Sequence, residues 1–582
     1  MRRTRRYIAM MIILMASLLA SAGCVSVPTT GPIDKVEGQQ PSCQNGCVNV
    51  QVVPPDPSAG PKEIIEGYLR ATSNYQPNYA VARQFLTPMA AEKWSPEVGV
   101  RIYQGSPVVQ GDTVIFNRLV GQLEPDRTYT ALASDKQFKW NFGLRQGENG
   151  EWRITHPPEG LMVAEFSFKY FYQPYDLFFV GNGRSLVPDP IYLPGLTNPA
   201  NVASALMKGL LNGPSKWLKP AVTSAIPPKT SLSVDSVTIT NGIAEVPLSD
   251  SVAALPDPQR SLLAAQIVYT LRQVPGVKGA LIKVNQQPYR VPGSDPNSLA
   301  VPIDAISGDL DPIPSIVGEE PYAVQGRAVK QLTTASDSPT LKGLPGTLGH
   351  GKYPVDALAL SVTNADFAVI TDRRTTLRRA PITTGEPTTV LSGASELLRP
   401  QFTRYGELWA IGRQGGRQWI WVLSAGKKVP ARIDLPVQDV KAFKISPDGT
   451  RMALVRSTKS GSELGLARII RSDEIIVDGW RGLNTTPLID KVQDVAWLDA
   501  TDLLVLGASG TDTAYAPFRV VQDASRITRQ GDPENWNAVE LAVSPRRQTA
   551  IIVGAQGHTW KDDGSQWSPF IREQVRTIAY PG

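Results

Sequence analysis

The chain opens on a basic head, Arg2, Arg3, Arg5 and Arg6, followed by an apolar run from Tyr7 to Ala20 and then by Ser21-Ala22-Gly23-Cys24. Fourteen positions fall short of the ~20 apolar residues that a bilayer span requires. The pattern therefore predicts a secretory signal over residues 1–23. The competing reading is an uncleaved signal anchor that runs on through Val25. Between Cys24 and Gly60 no period is visible. Pro28, Pro32, Pro41, Pro54, Pro55 and Pro57 deny this segment regular structure and predict a flexible tether over 24–60.

From Pro61 onward the periods become regular. Ile64, Ile65, Tyr68 and Leu69 form a helical stripe, and Val81, Phe85, Leu86 and Met89 predict a second helix with a similar face. Phe138, Trp140, Phe142 and Leu144 then alternate with Lys139, Asn141, Gly143 and Arg145, the signature of a half-buried strand. Gly147-Glu148-Asn149-Gly150 turns that strand into Glu151–Ile154 as a hairpin. Residues 61–175 are thus expected to form an α+β domain, with an aromatic sheet face that serves either as core or as a pocket lining. An α/β domain is expected over 176–293. Val202, Leu206, Met207, Leu210 and Leu211 make a helix that stops at Asn212-Gly213-Pro214, and Leu262, Leu263, Gln266, Ile267, Thr270 and Leu271 make another. Ser231–Thr240 reads as a strand with a bulge near Asp235, where the apolar parity changes. Asn241-Gly242 is a two-residue hairpin signal, and Val277–Val284 is a further strand.

Residues 294–320 read as a Pro-punctuated linker in which Glu319 and Glu320 are solvated. After it, paired β runs recur every 40–52 residues or so, the interval of a propeller blade. Phe367–Ile370, Leu408–Ile411, Met452–Val455, Leu503–Leu506 and Ala550–Val553 mark five such repeats. A sixth is completed if Tyr322–Leu332 pairs with strands near the C-terminus. An all-β propeller is therefore expected over 321–582, with its blade count open.

Composition changes this picture only at the edges. The formal charge is +6, but four of the basic residues sit in the signal, which leaves 55 basic against 53 acidic residues. So even a balance lacks the basic footprint of a nucleic-acid binder. Apart from Cys24, the cysteines are Cys43 and Cys47, either a small disulfide loop or free thiols, with too few ligands nearby for a metal. His156, His350 and His558 are scattered, and no Gly-x-Ser-x-Gly elbow or phosphate-cradling Gly-Lys-Ser/Thr loop occurs. Asp562 and Asp563, with Trp567, resemble a sialidase Asp-box but read better as a blade turn. Arg373, Arg374, Arg378 and Arg379 fall on a strand turn, where guanidinium groups either grip an acidic partner or anionic polymer or are simply solvated. No catalytic residue, cofactor or metal is expected, so the chain reads as a non-enzyme.

Small residues before Cys24 resemble a bacterial lipobox, with Ser21 where leucine is usual. That resemblance implies a diacylglyceryl thioether on Cys24, palmitate or a similar acyl chain on the mature N-terminus, and attachment to the extracytoplasmic face of the cell membrane. Residues 61–175 resemble the NTF2-like fold. Leu210–Pro214, Ser224–Pro227 and Asn241–Val246 resemble a GerMN domain. Signal, NTF2-like segment, GerMN module and propeller in this order resemble the actinobacterial LpqB lipoprotein family. Membership implies a partner, the extracytoplasmic sensor part of the histidine kinase MtrB, and a role in envelope homeostasis and division. The alternatives are a binder of a cell-wall polymer or small ligand and, third, a cell-wall hydrolase, which would need acidic side chains converging in one cleft.

Overall fold

The computed structural model describes residues 52–582 apart from 133–135, 183–184, 306–307, 317, 334–338, 436–437, 460, 511, 532–535, 563 and 565. The signal, Cys24, Cys43, Cys47 and Asp563 lie outside the described residues. Among the described residues no helix is long and apolar enough to cross a membrane.

Helix Pro61–Ser73 begins where Pro61 needs no N–H partner and Gly60 N–H donates to the Glu63 carboxylate. It buries Ile64, Ile65, Tyr68 and Leu69 over a sheet ordered Tyr129–Ala131, Arg118–Leu123, Val100–Gln104, Leu161–Ala164. The expected second helix is two short ones, Ala80–Gln84 and Pro88–Lys93. Pro88 cannot donate to a continuing helix, and Leu86 is drawn into a bridge with Ile154. Met89 consequently turns outward and is 67% exposed. The alternating segment also divides, at Gly143, whose φ of +59° ends Phe138–Asn141 and starts Leu144–Gln146. The latter forms the expected hairpin with Trp152–Ile154. Of the alternating face, Phe142 is buried in the core with Tyr68 and Phe116, while Phe138, Trp140 and Leu144 pack against that core half-buried.

The next domain starts with a long hairpin, Tyr172–Gly181 against Leu186–Pro194, which runs through the expected boundary at 175/176. Helix Asp257–Leu271 crosses between the parallel strands Ile243–Leu248 and Gly279–Val284. Its buried Gln266 donates to Phe178 O and accepts from Ala225 N, which ties hairpin and helix together. Asn241 and Gly242 take φ of +52° and +82°, and Thr240 pairs with Ile243, as the Asn-Gly signal requires. The bulged strand expected over 231–240 is shorter: Leu232 makes one bridge, to Leu248, and the ladder resumes only at Thr238–Thr240. The parity change near Asp235 therefore marks an excursion rather than a one-residue bulge.

Among the described residues the remainder is β apart from short helical turns such as Gly346–Gly349, in six sheets of four or five strands. Five begin with inner strands at Val355–Leu360, Gln401–Phe402, Val440–Ile445, Lys491–Trp497 and Ala538–Ser544. The sixth takes its inner strand from the C-terminus: Ile578–Ala579 pairs antiparallel with Tyr322–Gln325. Leu360 bridges Pro581, and Gly582 N–H donates to Leu360 O, so the end of the chain also touches the next blade. The circle is thus closed by joining the first and last strands of the module, which removes free sheet edges at the axis.

The 294–320 segment does not hang free. Val301–Pro302 extends the second domain's sheet. Further on, Arg404 donates to the carbonyls of Asp309, Asp311 and Pro312. Arg546 and Arg547 hold Glu319, whose side chain is only 19% exposed, so the solvated reading of Glu319 is corrected. Ile313, Pro314 and Ile316 meet the ends of the inner strands at Phe402, Ile445 and Trp497. The linker is a strap across one mouth of the propeller.

Candidate functional site

The first domain carries a groove of about 1260 Å³ between helix Pro88–Lys93, strand Phe138–Asn141 and the 144–154 hairpin. Its apolar floor includes Met89, Val98 and Trp140, the first two among the most exposed large apolar residues described. Lys93, Arg101, Arg145 and Arg153 line it against Glu148 and Glu159, an excess of positive charge. Arg153 is paired with Glu151 at 2.7 Å, whereas Lys93 and Arg145 make no ion pair among the described residues. Trp140 Nε1 donates to His156 O, and His156 Nδ1 lies 2.7 Å from Thr155 Oγ1, so this histidine belongs to the hairpin's framework. Sequence reading missed the groove because Met89 was counted into a buried stripe. Pro88 was the available signal.

The arginine cluster is largely engaged within its own blade. Arg378 donates to Thr371, Thr389 and Asp372 and lies over Tyr353. Arg379 donates to Asp366, and Arg374 to Leu397 O. Arg373 and Arg374 are both exposed, and neither makes an ion pair among the described residues. His350 ends a short helix and His558 packs edge-on against Trp560. Asp562 accepts from Gly564 N in a turn that leads to Trp567.

Two charged constellations were not anticipated. The first lies on the propeller axis. Arg399 pairs with Asp494 at 2.8 Å and Glu540 at 3.2 Å, and Thr577 Oγ1 donates to Glu540. Burial, and then the charge of Arg399, pulls the Lys444 ammonium down to about 7. Register shifts fall at equivalent points of four inner strands, beside Asp356, Lys441, Gln493 and Val539. These bulges re-aim side chains toward the axis. The second constellation is the seam between the second domain and the propeller. Arg451, 1% exposed, pairs with buried Asp448 and donates to Pro188 O across the seam. Trp217 Nε1 donates to Gly479 O, and Tyr192 OH to Asp523. Arg526 reaches back to Tyr172 O. Burial and the charge of Asp499 push Asp176 up to about 7, and the same two causes push Asp502 up to about 6 against the pull of Arg519. Arg519 grips Asp502 directly. These acids are thus part of the packing between domains.

Three family models match in sequence order: Lipoprotein LpqB, N-terminal domain, over 54–169; Sporulation and spore germination over 170–290; and Lipoprotein LpqB beta-propeller domain over 330–581. Lipoprotein LpqB of Cutibacterium acnes is 26% identical over 96% of this chain and 97% of its own length. Lipoprotein LpqB of Thermobifida fusca is 28% identical, over 90% and 91%. Among solved structures, TolB from Acinetobacter baumannii is similar over 54% of this chain and 85% of its own, with 13% identity and a TM-score of 0.35. With its domains matched in order and relatives aligned over nearly the whole length, the chain belongs to the LpqB lipoprotein family.

Proposed function

We propose that this lipoprotein is a non-enzymatic docking protein. Acylated on Cys24 and held on the extracytoplasmic face of the cell membrane, it binds the sensor part of an MtrB-like histidine kinase through the groove of its first domain. One observation carries this reading: the domain that follows the tether presents exposed Met89 and Val98 beside an excess of basic side chains. That chemistry fits an apolar segment flanked by carboxylates. The 27 residues from Val25 to Gln51 separate Cys24 from the first described residue, Val52. Anchored in the same bilayer as the kinase, the groove then works at a high effective concentration, and modest intrinsic affinity suffices. Docking alters kinase output only by favouring one of its states. No nucleic acid and no cofactor enter this scheme.

The test is cross-linking in cells from a photoreactive residue in place of Val98, with the full chain and with Lys93→Glu/Arg145→Glu. The kinase ectodomain should be captured by the native groove, and its capture should fall about tenfold on charge reversal. Equal capture by both forms, or none by either, removes the groove as the docking surface. Cys24→Ala should abolish capture while leaving the fold intact.

A further inference from the structure

A second cavity, of about 410 Å³, lies where all three domains meet. The first domain contributes the turn from Glu124 to Thr130, the second Ser215–Trp217, and the propeller Arg451, Arg481 and Gln522. Its size is that of an ordinary small-molecule site. The cavity's hydrogen-bonding balance is one-sided. Arg451 Nε, Arg481 Nε and Gln522 Nε2 are buried donors with no protein acceptor. Arg481 lies over the Trp217 ring at 4.8 Å, gives Nη2 to Gln522 O, and has no carboxylate within ion-pair distance among the described residues. The acids that share the cavity already accept from neutral donors. Asp189 takes Ser215 N and Oγ, Asp523 takes Ser525 N and Tyr192 OH, and Asp126 takes Thr128 N and Oγ1. Exposed Lys216 adds a further cation to the lining.

Asp523 and Asp189 act on Arg481 only at a distance, so three buried donor atoms are left unmet and are costly to maintain unless something with acceptor oxygens meets them. We propose that this junction is a binding site for a small hydroxylated oxyanion, a sugar acid or sugar phosphate. Its carboxylate or phosphate oxygens face Arg481 and Gln522, and its hydroxyls face Glu124 and Asp126 at the rim. Planar, forked donation from Arg481 suits either kind of oxyanion. Because the lining comes from three domains, an occupant binds only their assembled arrangement and stabilises it by mass action. This site is separate from the groove and does not rest on the kinase reading.

The full-length lipoprotein in detergent, titrated calorimetrically with glucuronate, glucose 6-phosphate and uncharged glucose, tests the assignment. One of the two anions should bind saturably at one site per chain and raise the melting temperature, while glucose does neither. Glucuronate alone would mark a carboxylate site, glucose 6-phosphate alone a phosphate site. Arg481→Gln should weaken binding by about tenfold or more, the cost of a charged hydrogen bond. Lys216→Gln, at an exposed position, should weaken it severalfold and decides the matter if Arg481→Gln fails to fold. Absence of saturable binding of either anion at millimolar concentration overturns the proposal. So does equal binding of glucose, or unchanged affinity in Lys216→Gln and in any folded Arg481→Gln.

Discussion

Lys444 shares the propeller axis with Arg399, Asp494 and Glu540, and its ammonium is held near 7 where an unfolded lysine titrates near 10.5. Between those values the folded chain binds fewer protons than the unfolded one. Stability from this group therefore rises with pH across the window and is lowest below about 7. Lys444→Met removes the penalty of the buried charge, so it should raise the melting temperature by several degrees at pH 6 and by less at pH 9. Thermal melts of both proteins at the two pH values check this; an equal shift at both would mean that the amine is not the cause. Asp176 acts in the opposite sense. Its carboxyl is raised from 3.8 to about 7, so stability from it is fully present below about pH 4 and is lost as pH rises toward 7. Asp176→Asn in the Lys444→Met background should flatten that slope, which separates the two contributions.

The closing strand makes the propeller a single element, and its worth can be measured by removing it. Without 577–582 the chain loses the partner of Tyr322 and Ala323, the Leu360 bridge and the burial of Ile578 and Tyr580. Two such apolar side chains are worth about 1.5–3 kcal/mol each. At roughly 2–4 °C per kcal/mol for a domain of this size, the truncated protein should melt about 10 °C lower. A calorimetric scan that shows no change would mean that the ring is held elsewhere. This closure was legible in sequence, because a leftover strand at Tyr322 needed a partner and the five apolar runs had none to offer. The Asn241-Gly242 hairpin was legible for a local reason, since two consecutive positive φ values demand those residues. The split helix was marked by Pro88 and read past, whereas the axial charges carried no such mark. Nothing local in the sequence marks Asp494 or Glu540 as axial, since the bulge just before each is seen only in the strand register. The strap escaped for another reason: its carbonyls are captured by Arg404, more than ninety residues away, and a Pro-rich polar segment carries no local mark of a distant donor.

At the scale of the molecule, the seam decides whether three domains behave as one. Trp217 is central to it. Its indole donates to Gly479 O at 2.7 Å, its carbonyl accepts from Arg468, Arg481 covers its ring, and its body packs on the apolar cluster shared by the blades that begin at Val440–Ile445 and Lys491–Trp497. Removing a packed tryptophan costs about 3–5 kcal/mol. Here that cost falls on the joint, because half-buried Trp217 packs against the margins of both the second domain's core and the propeller cluster. The native full-length chain should therefore unfold in one calorimetric transition. Trp217→Ala should unfold in two, the germination-type domain first and the propeller near its native temperature. Strongly coupled domains share a transition because neither can unfold without exposing the other's seam; weakening the seam below the stability of the weaker domain uncouples them. If the native chain already melts in separate steps, and Trp217→Ala shifts only the first, the domains are merely adjacent. A ligand at their junction would then stabilise a contact without joining their fates, so this scan also shows how far binding at one domain can be felt by the others.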